Sequence, residues 1–227
     1  MTPKALLFDV FGTCVDWRTS VAREAAALGL PGEAVADAWR GRYQPQLETV
    51  RSGEREWVLL DVLHREALDH VLDELGLELG ESERDELTLA WHRLDPWPDT
   101  VEGLTRLKER FIIAPCSNGH IAQSVNLARH AGLPWDAILG AEIAHAYKPD
   151  PRVYRASVAA LGLEPGEVMM VAAHNGDLHA AAACGLQTAF VARPSEHGPE
   201  QETDLHAEGD VDVEAGDFVA LAVNGGW

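Results

Sequence analysis

Four short polar segments in this chain carry side chains able to do chemistry, and each lies where an apolar run ends. The first is Leu6-Leu7-Phe8-Asp9-Val10-Phe11-Gly12-Thr13, which delivers the Asp9 carboxylate to a glycine-containing turn. It reads as a buried parallel strand ending in an acid, the place where open α/β sheets keep their sites. An aspartate there can also serve simply to make the turn. The second is Cys116-Ser117-Asn118-Gly119, just before a helix that starts near His120. Its backbone N–H groups and the Ser117 hydroxyl can bind a carboxylate, or Ser117 and Asn118 can cap the helix. The third is Lys148-Pro149-Asp150-Pro151. Pro149 predicts an extended Lys148, Asp150 can cap, and Pro151 suits a first helical turn. Lys148 is one of three lysines, with Lys4 and Lys108, so a cation at the mouth of the sheet reads as placed for a role there, with surface filler as the alternative. The fourth is Ala172-Ala173-His174-Asn175-Gly176-Asp177. Its second carboxylate, Asp177, pairs with Lys148, orients water, or answers the dipole of the helix it opens. His174 is either a hydrogen-bonded spacer or a participant.

The elements that must position these residues are legible from periodicity. A strand at the N-terminus is followed by about 80 residues of helical patterning. Val21, Ala25 and Leu28, then Val35, Trp39, Tyr43 and Leu47, follow helical spacing, and 57–75 and 83–94 continue it. Asp95-Pro96-Trp97-Pro98-Asp99 breaks the pattern and reads as a hinge, because residues before proline are pushed out of helix. Beyond it, helices over 101–110, 121–131, 151–161 and 178–184 alternate with strands over 111–116, 137–139, 168–173 and 188–192. An acidic, turn-rich surface loop covers 194–210, an edge strand 211–213, and a closing helix starts near Asp217. This alternation predicts an α/β fold, a doubly wound and mostly parallel sheet of Rossmann-like type. The all-helical block is then an inserted cap. The expected division is a core of 1–15 and 97–227 with a cap of 16–96.

Composition narrows the partners. The 227 residues are 46% hydrophobic and 24% charged, globular values. A net charge of −19 argues against nucleic acid and anionic membranes, and requires any anion site to be locally positive. The cysteines Cys14, Cys116 and Cys184 form no C-x-x-C pair, so neither a zinc site nor a disulfide framework is signalled. No signal peptide or membrane span is expected, and a reducing cytoplasm fits best. A homodimer through the cap is compatible with the sequence, which does not specify it.

Taken in order, the four segments and the helical block resemble the haloacid dehalogenase superfamily along essentially the whole chain. Phe8-Asp9-Val10-Phe11-Gly12-Thr13 with Trp39-Arg40 is similar to the (S)-2-haloacid dehalogenases. The resemblance implies hydrolytic dehalogenation of short 2-haloalkanoic acids through an aspartyl ester on Asp9, with no cofactor and no metal. The substrate is a small anionic acid and the other ligand a halide. Lys148 would keep Asp9 ionised, and Thr13 would hold its carboxylate. Asp177, with His174 or Lys148, would orient the hydrolytic water. Arg40 would bind the departing halide with help from Asn118, and Ser117 with the amides after Asp9 (Val10, Phe11) the substrate carboxylate. Trp39, Trp57 and Leu60 wall the alkyl pocket or belong to the core.

Phosphatase members of the superfamily carry a second acid two positions after the nucleophile, where this chain has Phe11. They carry a metal-binding acid five positions before the one matched by Asp177, where this chain has Ala172. Those departures set a metal-dependent phosphatase as the second reading, and a non-catalytic acid-binding protein as the third. Many (S)-2-haloacid members have Ser-Ser-Asn in place of Ala172-Ala173-His174, which points to a different placement of water here.

Overall fold

The computed structural model describes residues 2–226. Its main sheet has six strands, all paired in parallel, in the order β5-β4-β1-β6-β7-β8. These are β1 (Ala5–Phe8), β4 (Ile112–Ser117), β5 (Leu139–Gly140), β6 (Val168–Ala172), β7 (Gln187–Val191) and β8 (Val213–Ala215). β1 is apolar at every position because both its faces are covered. Leu6 and Phe8 face a cluster filled by Leu104 and Leu107 of α5 (Thr100–Lys108) and by Phe218 and Leu221 of α10 (Phe218–Asn224). Ala5 and Leu7 face Val153 and Tyr154 of α8 (Pro151–Ala160) and Leu178 and Ala181 of α9 (Asn175–Ala183). With β4 on one side of β1 and β6 on the other, the strand order reverses at β1, and its carboxyl end opens on the crevice where such sheets bind ligands.

Between β1 and β4 lies the helical block: α1 (Trp17–Ala27), α2 (Gly32–Arg51), α3 (Leu60–Leu75), α4 (Glu81–Thr88) and a 3-10 turn at Leu89–His92. Its root is an unexpected two-stranded ladder. β2 (Val15–Asp16) pairs antiparallel with β3 (Asp95–Pro96), where the chain leaves and re-enters the sheet domain. The segment expected as a hinge is therefore fastened. Trp97 Nε1 donates to Gly12 O (2.8 Å), and Thr100 Oγ1 to Cys14 O (2.8 Å). A two-residue ladder escapes periodicity analysis, and proline tolerates it at an edge.

Phe11 ties the block to the sheet. Its ring meets Trp91 edge-on at 5.8 Å, Trp91 stacks on Trp17 at 6.3 Å, and Trp39 meets Trp91 edge-on at 5.6 Å. Such aromatic pairs contribute about 0.5–1.5 kcal/mol each beyond burial.

Elsewhere the boundaries shift for tertiary reasons. The helix expected from Trp57 begins at Leu60, because Trp57 stacks on His145 (4.7 Å) and Val58 O accepts from Tyr147 Oη (2.7 Å). The helix expected over 83–94 is α4 followed by the 3-10 turn. The edge strand lies two residues later than expected, at Val213–Ala215. α9 starts at Asn175 and not at Leu178, since Asn175 Nδ2 is held by Asp204 Oδ1 (2.8 Å). Lys148 occupies a turn closed by Asp150 N–H to Tyr147 O (3.1 Å), and its peptide bond to Pro149 is cis.

Arg193 locks the turn after β1. Its Nε donates to Thr13 O (2.8 Å), and its two terminal nitrogens bind Asp99 at 2.7 and 2.8 Å. Arg193 is 6% exposed. Asp99→Ala would strand that guanidinium without a counter-charge, at a cost of about 3–5 kcal/mol. Urea unfolding should show this loss, and the apolar pair Asp99→Leu with Arg193→Met should recover much of it. Equal losses in the two variants would place the stability elsewhere.

Candidate active site

The ladder carries Asp9 to the edge of the sheet: its N–H still donates to Val171 O (3.0 Å). The chain then reverses, with Cys14 N–H donating to Val10 O (2.8 Å), and Thr13 returns beneath the carboxylate. Thr13 Oγ1 donates to Asp9 Oδ2 (2.7 Å) and accepts from Ala173 N–H (2.9 Å), so one hydroxyl ties β1 to the end of β6. Lys148 Nζ lies 2.8 Å from Asp9 Oδ1 and 2.5 Å from Asp177 Oδ2. Asp177 stands in the first turn of α9 and accepts from Tyr154 Oη at 2.5 Å. Asn118 aligns the lysine's backbone: Lys148 N–H donates to Asn118 Oδ1 (2.8 Å), while Asn118 Nδ2 donates to Tyr43 Oη (3.0 Å). These groups face a cavity of about 740 Å³ between the sheet edge and α2.

Burial opposes ionisation of Asp9, but the Lys148 ammonium and then His174 overcome it and hold the carboxyl far below the usual range. Asp177 goes the other way: its burial and the nearby charge of Asp9 push it up against the pull of Lys148. Lys148 is pushed up, since the attraction of Asp177 and Asp9 outweighs its desolvation. One ammonium between two buried carboxylates thus keeps Asp9 charged first.

His174 joins Asp9 to an acid that sequence reasoning missed. Its Nδ1 lies 3.0 Å from Asp9 Oδ2 and its Nε2 2.8 Å from Glu196 Oε2. Glu196 belongs to the segment expected as a surface loop, yet it is 1% exposed. Trp17 Nε1 donates to its Oε1 (2.9 Å), and Arg40 Nη2 lies 3.9 Å away. Gly12 makes the room: at φ +85° it is left-handed, and a Cβ there would sit 2.0 Å from Glu196 Oε1. A glycine four residues after the end of β1 and an acid 184 positions later carry no joint sequence signal.

Arg40 enters from α2, stacked over Tyr43 (4.3 Å) and Trp17 (5.3 Å). Its Nη1 is buried and has no hydrogen-bond partner, although the side chain lines the cavity. Phe11, Asn118, Lys148, His174 and Asp177 line it as well. Others of the expected set lie back from it. Val10 is packed in the core. Ser117 is buried, its Oγ accepting from Gly119 N–H (3.0 Å) within its own turn. Trp57 is drawn away to His145, and Leu60 is sealed among the helices of the insertion, so neither walls the cavity. Trp39 is sealed there too, its Nε1 donating to His64 O (2.9 Å).

Magnesium needs an oxygen-rich octahedral shell. Phe11 offers an aromatic ring where a second acid would stand, and Ala172 a methyl group. The Lys148 ammonium already bridges Asp9 and Asp177. The donor set beside Asp9 does not fit that ion.

Burial opposes the charge on His174, but Glu196 and Asp9 outweigh it and raise its pKa well above 6.5. Its contribution to stability is therefore full below about pH 6.5 and is lost as pH rises through the raised folded value. Glu196→Gln removes one of the two anions, so NMR titration of the His174 ring should give a lowered midpoint. A wild-type midpoint at or below 6.5 would contradict the arrangement.

Comparison with known proteins agrees with this fold. The haloacid dehalogenase-like hydrolase family matches residues 3–185. (S)-2-haloacid dehalogenase 4A of Burkholderia cepacia is 33% identical over 202 residues, 88% of this chain and 87% of that protein. A crystal structure of a defluorinating L-2-haloacid dehalogenase superposes with TM-score 0.95 at 51% identity, covering 97% of this chain and 94% of that one. The L-2-haloacid dehalogenase of Xanthobacter autotrophicus with chloropropionic acid covalently bound gives TM-score 0.84 at 26% identity, over 98% of both chains. With its strand order, its inserted helices and the length of these matches, the chain belongs to the haloacid dehalogenase-like hydrolases.

Proposed function

We propose that this protein hydrolyses short 2-haloalkanoic acids to 2-hydroxy acids. The observation that carries this reading is an ionised Asp9 beside a cavity lined by Arg40, whose buried Nη1 has no hydrogen-bond partner. A carboxylate nucleophile and a cation for the departing anion, with no magnesium shell, suit displacement at carbon. In the first step an Asp9 oxygen bonds to C2 of the substrate, and the C–halogen bond breaks with its electron pair leaving on the halide. Arg40 and Asn118 receive that halide. Water then adds to the Asp9 side-chain carbonyl carbon, and the bond to the departing oxygen breaks. One water proton goes to the 2-hydroxy acid, the other to the enzyme, and Asp9 is regenerated.

Esterification also removes one of the two charges that hold the His174 proton. The imidazole can then release it and, backed by Glu196, take a proton from the attacking water. Asp177, fixed by Lys148 and Tyr154, is the second group placed to orient that water. The helices of 16–96 act as a cap over the core of 1–15 and 97–227, contributing Arg40 and Tyr43. Three unpaired cysteines favour a reducing, cytoplasmic setting, and no helix among the described residues is long and apolar enough to cross a membrane.

Halide release should be measured from chloroacetate, from each enantiomer of 2-chloropropionate and, because one similar structure is of a defluorinating enzyme, from fluoroacetate. Release from the (S) enantiomer should persist with chelator and vanish in Asp9→Asn. A single turnover in 18O-water should label Asp9 and not the product. Halide release that needs magnesium, or hydrolysis of p-nitrophenyl phosphate instead, would overturn the proposal. Arg40→Ala should lower kcat by about 10²–10³-fold, the range for losing one charge-stabilising donor; an unchanged kcat in steady-state assays would remove Arg40 from the halide site.

A further inference from the structure

A second polar cluster lies apart from the residues of the Asp9 site. Asp61 in the first turn of α3, His92 at the end of the 3-10 turn, and His120 before α6 (Ile121–Ala131) converge from three separate elements. His92 Nε2 is 3.0 Å from both Asp61 oxygens, and His120 Nε2 is 3.4 Å from Asp61 Oδ2. The ligating atoms all lie within 4.8 Å of one another. We propose that these three side chains form a binding site for one divalent transition ion of the zinc type, clipping the inserted helices to the turn after β4.

The distances fit. A tetrahedral ion with bonds of about 2.0–2.1 Å places its donors about 3.3 Å apart, between the 3.0 and 3.4 Å found here. Two imidazoles and a carboxylate are the donor set of such ions and not of magnesium or calcium. His120 supplies the independent sign of a missing partner. It is 5% exposed, its Nδ1 has no hydrogen-bond partner, and its Nε2 stops 3.4 Å short of Asp61. A buried imidazole without a good hydrogen bond is costly, and a metal bond at Nε2 would replace its long contact to Asp61 with a strong one.

The outer shell can serve as well. His92 Nδ1 lies 3.0 Å from the side-chain amide of Asn126. With the amide turned so that Oδ1 faces the ring, it accepts the Nδ1 proton and leaves Nε2 free to ligate. Access is open on one side. The Asp61 side chain is 30% exposed and lines a surface cavity of about 470 Å³ with Arg65, Asp85 and Thr88. A water could complete the tetrahedron there. The overall charge of −19 draws divalent cations to the surface.

Two ligands come from the insertion and one from the sheet domain, two residues after Asn118, which lines the Asp9 cavity. The ion would act as a clip and take no part in the reaction. Protein freed of metal by chelator should bind one Zn²⁺ per chain in calorimetric titration with zinc chloride. At a hundredfold excess over Kd the Tm should rise by about 5–10 °C. Co²⁺ in the same site should show the visible absorption of tetrahedral coordination. Asp61→Asn and His120→Gln, each alone, should weaken zinc binding by at least tenfold, while halide release by chelated wild-type protein stays unchanged. Asp61→Asn alters a half-exposed group and guards against a folding failure. No stoichiometric binding, or binding that both substitutions leave intact, would overturn the proposal. Failure here leaves the haloacid assay unaffected, and failure of that assay leaves zinc binding unaffected.

Discussion

A single buried ammonium holds the centre of this molecule together. Lys148 sits within 2.8 Å of Asp9 and 2.5 Å of Asp177, and all three side chains are largely withdrawn from water. A buried carboxylate pair without a cation would repel and take up a proton. With it, the carboxyl edge of the sheet can carry two acids side by side, one of them firmly ionised. The remaining contacts serve that triad. Thr13 pins one oxygen of Asp9, Tyr154 pins Asp177, and Asn118 pins the lysine's own backbone. Losing the ammonium would leave two buried carboxylates side by side without a cation, the costly way to break such a cluster.

The second constraint is steric. Glu196 reaches the interior only because residue 12 has no side chain and takes a left-handed turn. Once there it meets Trp17, His174 and Arg40, so a loop acid becomes the partner of two cations at the cavity. A strongly acidic protein thereby gathers several cations at one cavity. Lys148, Arg40 and His174 are gathered at one cavity, where Asp9 and Asp177 are hydrogen-bonded to Lys148 and Glu196 to His174.

The third constraint is aromatic. Phe11 stands where related phosphatases need an acid, and its ring is committed to the Trp91, Trp17 and Trp39 cluster of the insertion. One difference of type, phenyl ring in place of acid, thus removes an oxygen ligand and fastens the inserted helices to the turn after Asp9. Packing and chemistry are altered by the same atoms.

Sequence alone determined what consecutive residues can encode. Apolar runs of strand length, helical spacing and proline breaks specified the parallel sheet and the helical insertion. Strand ends picked out Asp9, Ser117, Lys148 and Asp177 by type and order, and the Trp39-Arg40 pattern picked out Arg40. Tertiary structure decided everything that depends on contact between distant segments. It joined Lys148 to Asp9 across 139 residues, buried Glu196 against Gly12, and turned Trp57 away to His145. It also paired Val15 with Pro96 and brought Asp61 to His92 and His120. The physical reason is that periodicity reports which face of an element is apolar. Which polar groups lose their water together is settled only when those faces meet.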